Sequence, residues 1–292
     1  NKVAIGCPRL DVGELSSIGI VKVYYFNSAE DKWVQEGNDI IGVTPLSKSY
    51  LFFGHSVSLS STLLAVGCPE FGDITHLGEN PRSEGGGHVR IFKLSKNKEW
   101  IQQGEDIEPG RDQVNRSYGF SVAITEVESR RAIIAVGNPM EEVRGTLPNA
   151  GSVRVFHCEI SSCEWQQVGN AIKGSQSWLE LGANVALSED GTALAVGARS
   201  RFSSNAYSSL YDFVPDIGWQ ERKIQSSELS HAPGYLVSLS NDSTTLVVGA
   251  IGDGEADESG GSIHIFNNPS GVSTKDQLVS ITIMIQVGYH PE

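Results

Sequence analysis

A short apolar strand that ends in glycine recurs five times along this chain. The recurrences lie 61, 70, 60 and 52 residues apart, and the closing residues are Gly6, Gly67, Gly137, Gly197 and Gly249. A repeated unit of this length cannot bury its own apolar face and must stack on its neighbours. We therefore expect the 292 residues to form one array of related units rather than two unrelated domains.

Each unit is predicted to contain four short strands. The third unit contains AIIAVG at 132–137, GSVRVF at 151–156 and CEWQQVGNAI at 163–172, and the fourth opens with LGANVALS at 181–188. No long segment has the 3.6-residue period of a helix. Four antiparallel strands repeated radially predict an all-β chain that folds as a β-propeller. The alternative, a β-solenoid, would need repeats of about 20–30 residues.

Five marker strands predict about five four-stranded blades in a single domain spanning 1–292. The blades are expected at approximately 1–52, 53–117, 118–180, 181–233 and 234–292. The chain opens at a second strand, and the run at 278–288 is long enough for a fourth strand of the last blade and a strand that closes the first. The alternative is a fragment of a longer propeller, for example one with seven blades.

Tryptophan starts the fourth strand of four units, at Trp33, Trp100, Trp165 and Trp219. An aromatic residue at equivalent positions of successive blades indicates packing between blades rather than a set of sugar-binding sites. Trp178 breaks the pattern because it lies in the loop before the fourth blade, and it is a candidate for surface contact.

The repeated motifs resemble those of a known family. The cycle FG-x-SV-x-LS, LAVG-x-P, G-S-V-R-V-F contains Phe53-Gly54 and Gly67-Cys68-Pro69. It resembles the FG-GAP repeats of integrin α-subunit propellers, and the added W-x-Q-x-G element is similar to large secreted FG-GAP proteins of diatoms and other stramenopile algae. The resemblance implies extracellular adhesion or ligand binding, with a protein or glycan partner at the cell surface or in an extracellular assembly.

The charge, the cysteines and the glycosylation sequons predict which partners the protein binds and in which compartment it resides. The formal charge of −13 argues against nucleic acid and against anionic lipid as partners, and no stretch is long enough to span a membrane.

Cys158 and Cys163 flank a predicted hairpin turn, where facing residues lie close enough for a disulfide. Asn115 and Asn241 begin glycosylation sequons in predicted turns. Together these features predict a secreted or cell-surface glycoprotein.

One acidic loop has the spacing of a cation site. Asp253, Glu255 and Asp257 alternate in the connection between the second and third strands of the last unit. Alternate carboxylates could bind Ca²⁺, which needs six to eight oxygen ligands. The alternative is a solvated acidic loop, and we expect no other cofactor.

No catalytic motif is found, so we expect a non-enzymatic binding or adhesion module. The alternatives are a carbohydrate- or phosphodiester-cleaving enzyme and a purely structural component of a surface or filament assembly.

The connections between strands 2 and 3, and between strand 4 and the next strand 1, are long and should share one face, where binding residues concentrate. The candidate ligand-binding residues on that face are Phe71, Asp73, His76, Trp178, Phe202 and Tyr207.

Overall fold

The chain forms five antiparallel β-sheets, which we number sheets 1 to 5 in chain order. The computed structural model describes residues 1–42, 51–69, 86–109, 117–199, 207–222, 234–251, 261–267 and 279–285. Every regular element in these ranges is a strand, which confirms the all-β prediction. In the same ranges, no helix has the length and apolar character needed to cross a membrane.

Four of the sheets have four strands each, and sheet 3 has five. Sheet 1 contains β1 (Lys2–Cys7), β2 (Ile20–Asn27), β3 (Lys32–Gln35) and β4 (Ile40–Ile41). Sheet 2 contains β5 (Ser56–Leu59), β6 (Leu63–Cys68), β7 (His88–Leu94) and β8 (Trp100–Gln102). Sheet 3 contains β9 (Ser121–Val127), β10 (Arg131–Asn138), β11 (Ser152–Glu159), β12 (Gln166–Gln167) and β13 (Ile172–Lys173). Sheet 4 contains β14 (Leu181–Leu187), β15 (Ala193–Ala198), β16 (Ser208–Val214) and β17 (Gly218–Arg222). Sheet 5 contains β18 (Gly234–Leu239), β19 (Thr245–Ile251), β20 (Gly261–Asn267) and β21 (Val279–Ile285).

Sheets 2, 4 and 5 are simple meanders in which each strand pairs with the next along the chain. In sheets 1 and 3 two short strands follow each other on the outer side, since β3 and β4 both pair with β2, and β12 and β13 both pair with β11. The fourth strand predicted for the last unit is confirmed as β21, which pairs with β20. The strand expected to close the first unit falls on residues 286–288, which lie outside the described residues.

A hydrophobic core lies between each pair of consecutive sheets. Between sheets 2 and 3 it contains Leu63 and Ala65 of β6 together with Ile134 and Val136 of β10. The intervening side chain Leu64 points the other way, into the core shared with sheet 1. Both faces of the second strand are therefore buried, which explains why its sequence is a continuous apolar run rather than an alternating one.

The two glycines of the repeated motif meet across the junctions of sheets 1 and 2, 2 and 3, and 3 and 4. A Cβ atom added to Gly67 of sheet 2 would lie 2.0 Å from the carbonyl oxygen of Gly119 in sheet 3. Gly119 itself has a φ of +84°, a conformation that favours glycine. The FG and GAP motifs are therefore two halves of one backbone contact between neighbouring sheets.

The tryptophans that begin the fourth strands pack between sheets, as predicted, at three of four positions. Trp100 is buried in the core between sheets 1 and 2, and its Nε1 donates a 2.8 Å hydrogen bond to the carbonyl of Glu36. Trp219 packs against sheet 3, and Trp165 packs against the core between sheets 2 and 3. Trp33 of sheet 1 is exposed instead.

The predicted disulfide between Cys158 and Cys163 is wrong, because both residues are buried free thiols. The strand register pairs His157 with Gln166, which leaves position 165, not 163, opposite Cys158. Cys163 lies in the turn with a φ of +53°, and its thiol donates a 3.3 Å hydrogen bond to the carbonyl of Ile160. Cys158 on β11 and Cys163 in the following turn are thus not a facing pair on the ladder.

Candidate functional site

Two of the long connections lie side by side where sheets 3 and 4 meet. The backbone N–H of Trp178, in the connection that leads into sheet 4, donates a 2.8 Å hydrogen bond to the carbonyl of Pro148, in the connection between β10 and β11. Glu180 makes an equivalent 2.9 Å bond to Asn149. The expected shared face therefore exists where sheets 3 and 4 meet, and we call it the long-loop face.

Two of the six predicted ligand-binding residues can be placed on this face. Trp178 is 40% exposed and has a φ of +63°, which holds its indole on the surface. Tyr207 is half-buried against the core between sheets 3 and 4, where burial raises the pKa of its hydroxyl and a hydrogen bond with Ser175 partly offsets the effect. No described contact joins Trp178 to Tyr207.

Most of the other predicted site residues lie outside the described residues. They are Phe71, Asp73, His76 and Phe202, the acidic triplet Asp253, Glu255 and Asp257, and the sequon residue Asn115. Within the described part of the chain, no group of three His, Cys, Asp or Glu side chains is placed to hold a metal ion. Asn241 is exposed in the turn between β18 and β19, where a glycan could be attached.

The structure reveals a cluster at the inner ends of the sheets. The innermost strands of neighbouring sheets, β5, β9, β14 and β18, contact one another in sequence. At the start of β5, His55 donates a 3.1 Å hydrogen bond from Nδ1 to the carbonyl of Phe120, at the start of β9. The two rings lie 4.5 Å apart between centroids. This contact connects sheets 2 and 3 at the rim of the long-loop face.

Sheet 4 adds a guanidinium group to the same place. The Cζ atom of Arg199, directly after β15, lies 5.8 Å from the centroid of the Phe120 ring, within the range of a cation–π contact. Its Nε donates a 2.6 Å hydrogen bond to the carboxylate of Glu180, which is buried. The buried carboxylate therefore orients Arg199 over the aromatic ring.

Sheet 1 contributes a second cation. Arg9 is exposed after the end of β1, and its positive charge acts on His55. Burial is the largest cause of the lowered pKa of His55, and the charges of Arg199 and Arg9 lower it further against the effect of the bond to Phe120. We call Arg9, His55, Phe120, Glu180 and Arg199 the rim cluster. It brings together four of the five sheets.

None of the five residues of the rim cluster was among the candidates predicted from the sequence. The signal was present in the repeat alignment, because His55 and Phe120 both follow the glycine of an FG-like motif. Equivalent positions of a radial repeat lie around one axis, so residues that differ there from unit to unit converge on one place.

A second polar cluster lies at the same end of sheet 3 but is buried. Arg154 forms a bidentate ion pair with Glu141, at 2.7 Å and 3.0 Å. Ser152 and Asn138 also donate hydrogen bonds to Glu141. Because this network is nearly inaccessible to solvent, we assign it a structural role in fixing the connection between β10 and β11.

Comparisons with known proteins agree on the fold class. No family model matches the chain, and no curated protein matches its sequence significantly. Among solved structures, the complex of KlAtg21 with the coiled-coil of AgAtg16 is similar at a TM-score of 0.50 and 11% identity, over 88% of this chain and 61% of that one. The Dos1 propeller matches at a TM-score of 0.45 and 12% identity, over 85% of this chain and 49% of that one.

A periplasmic gluconolactonase of Pseudomonas aeruginosa, PpgL, matches at a TM-score of 0.42 and 13% identity, over 98% of this chain and 86% of that one. The chain spans less than two thirds of the length of the first two structures. At these identities the likeness shows the fold alone. The five antiparallel sheets, which pack one against the next in chain order, place the chain in the β-propeller class.

Proposed function

We propose that this chain is a non-enzymatic extracellular binding module that takes an acidic glycan on its long-loop face. The observation that carries the proposal is the rim cluster, in which Arg199 lies over the Phe120 ring beside His55 and the charge of Arg9, from sheet 1, acts on the same histidine. In a chain with a formal charge of −13, this cluster holds two guanidinium groups and one carboxylate, which is a local excess of positive charge. Guanidinium groups recognise carboxylates and sulfates by paired hydrogen bonds.

Aromatic surface on the same face supports a sugar ligand. Trp178 presents a partly exposed indole beside the connection between β10 and β11. An amphipathic ring of this kind offers a large contact area with few rotatable bonds, which suits packing against the face of a sugar. The exposed sequon at Asn241 lies in a short turn at the opposite end of the strands, so a glycan there would leave the long-loop face open.

The resemblance of the repeats to FG-GAP blades supports the same reading, since it implies ligand binding outside the cell. Under this proposal the module is secreted or displayed on the cell surface. Comparison of the intact mass of the native protein before and after enzymatic deglycosylation tests the compartment. A mass that does not change would contradict the expected occupancy of Asn115 or Asn241.

The ligand is tested with an array of neutral, uronate-containing and sulfated glycans. We expect retention of acidic glycans only, and a loss of about tenfold or more for Arg9→Gln, because each charged hydrogen bond contributes roughly 1.5–3 kcal/mol. Arg131→Gln is the matched control, since Arg131 is exposed at the short-turn end of β10. Equal binding of neutral and acidic glycans, or equal losses in both variants, would reject the proposal. Capture of a protein ligand with no glycan retained would also reject it.

The pH dependence gives a second test. The pKa of His55 is lowered in the folded protein, so the ring is neutral at neutral pH and gains a proton only in more acidic solution. Protonation adds a third positive charge to the rim, and affinity for an acidic glycan should rise as the pH falls. His55→Gln should remove this rise while it leaves binding at neutral pH within a few fold.

A further inference from the structure

The first sheet presents an apolar face that is buried in every other sheet. Val3 and Ile5 of β1 are 38% and 47% exposed, and Trp33 of β3 is 51% exposed. The strand registers make them equivalent to Leu64, Val66 and Trp100 of sheet 2, all of which are buried. In sheet 2 these positions face the preceding sheet. The same side of sheet 1 is uncovered.

The last sheet exposes its forward face, which is the face that each earlier sheet packs against the sheet after it. Leu236 of β18 is 48% exposed, and it occupies the position at which Ser56 and Ser121 reach the following sheet. Ile263 and Ile265 of β20 are half-buried, although the equivalent positions on the forward face of sheet 2 are fully buried.

The glycine contact is also missing at this end. A Cβ atom on Gly6, Gly67 or Gly137 would collide with a glycine carbonyl of the next sheet. At Gly249 it would meet only Leu236 of its own sheet, at 3.4 Å. Among the described residues, no other sheet packs on the forward face of sheet 5 or on the backward face of sheet 1.

These two open faces are complementary, because each internal junction pairs a forward face with a backward face. Within the described residues, hydrophobic cores join sheets 1 and 2, 2 and 3, 3 and 4, and 4 and 5, and none joins sheet 5 to sheet 1. A second molecule can supply the partner face that each of these two exposed faces lacks. Contiguous exposed apolar surface of this kind usually marks an interaction site.

We propose that a second copy of this chain covers the backward face of sheet 1 with the forward face of its own sheet 5. The contact repeats the internal junction between molecules, and Gly249 of one copy takes the position that Gly67 has within the chain. Such a head-to-tail interface is heterologous, so it generates a closed ring or an open filament rather than a two-fold dimer.

The wild-type chain is tested by light scattering after size exclusion over a hundredfold range of concentration. We expect a mass that rises from 31.4 kDa to multiples of that value. A mass that stays at 31.4 kDa at every concentration would overturn the proposal, whether the faces remain open or sheets 1 and 5 of one chain cover each other.

Two substitutions that introduce a negative charge test the two faces of the proposed interface separately. Ile5→Glu damages the backward face and Leu236→Glu the forward face, and each residue is already about half exposed, so both variants should fold. We expect each variant alone to remain at 31.4 kDa, and an equimolar mixture to form a 1:1 dimer through the undamaged face of each. Ile101→Glu is the matched control, because Ile101 is 48% exposed on an internal sheet and should not affect assembly.

The outcomes are exclusive. If Leu236→Glu associates as the wild type does while Ile5→Glu does not, two backward faces meet and the head-to-tail arrangement is wrong. If the mixture of variants stays monomeric although the wild type assembles, assembly uses another surface. Loss of assembly in Ile101→Glu to the same extent would also reject the proposal.

Discussion

Glu126 of sheet 3 accepts a 2.6 Å hydrogen bond from the backbone N–H of Thr62, in the turn between the first two strands of sheet 2. The same carboxylate also accepts from the hydroxyls of Ser60 and Thr62 and from the backbone of Leu63. In sheet 4 the equivalent turn supplies its own acid, since Asp190 accepts from Ser188 and from the N–H of Thr192. A carboxylate from the next sheet therefore replaces one that the shorter turn lacks.

Replacement of Glu126 by glutamine should lower the free energy of unfolding by about 1–3 kcal/mol, because a charged acceptor that serves four donors is lost. Urea denaturation measures the change. Glu128→Gln is the control, since Glu128 is exposed in the turn after β9 and should change stability by less than about 0.5 kcal/mol. Equal effects of the two substitutions would show that the contact does not stabilise the junction.

The contribution of Glu126 should depend on pH in a definite direction. Burial raises its pKa, but hydrogen bonds from Ser60, Thr62 and Leu63 outweigh burial and leave the pKa below the ordinary value of 4.5. The folded state therefore binds fewer protons than the unfolded state between the two pKa values, and the free energy of unfolding rises with pH there. The contribution should be complete above pH 4.5 and lost as the pH drops through the folded pKa.

The buried ion pair of sheet 3 should tolerate the loss of one partner poorly. Arg154→Met leaves the carboxylate of Glu141 buried without its cation, which should cost roughly 3–5 kcal/mol. Asp39→Asn removes an exposed partner of Lys22 and should cost at most about 1 kcal/mol. Chemical denaturation of the two variants measures the difference, and similar losses would contradict the assignment of Glu141 and Arg154 to a structural network.

Alanine at two equivalent glycines should have opposite outcomes. Gly67→Ala places a Cβ atom against the backbone of sheet 3 and should destabilise the fold by roughly 1–3 kcal/mol or more. Gly249→Ala meets only a side chain at ordinary contact distance and should leave thermal stability of the dilute chain nearly unchanged. Equal destabilisation by the two substitutions in dilute solution would mean that sheet 5 is already covered within one molecule.

The cysteines should differ in reactivity. Burial, together with the neighbouring thiol of Cys163, raises the pKa of Cys158 to about 12, and thiolate is the reactive form. Cys7 is exposed. Alkylation at pH 8 followed by peptide mass spectrometry should modify Cys7 first and Cys158 only after unfolding. A native peptide pair 158/163 that lacks two hydrogens would show an oxidised bond in place of the free thiols.

Much of the fold could be predicted because the repeat reports on packing. The apolar runs that end in Gly67 and Gly137 predicted the strands, and Trp100 and Trp219 predicted packing between sheets. The disulfide failed because the ladder register of β11 and β12 depends on the turn, and the sequence does not fix where the turn begins. The candidate binding residues in the loops were predicted from loop length and side-chain type. Neither property determines which loops lie side by side in the folded protein.

The sequence by itself determined that this chain is a series of related antiparallel β units, because apolar runs and glycine positions are local properties. Only the tertiary structure decided which side chains from different units meet, as His55, Phe120 and Arg199 do at the rim. These residues are separated by more than 60 positions in sequence, and their approach is set by the stacking of whole sheets. The stacking also decided that Ile5 is exposed, although its equivalent in the next unit, Val66, is buried. It likewise left Leu236 exposed at the position where Ser56 reaches the following sheet.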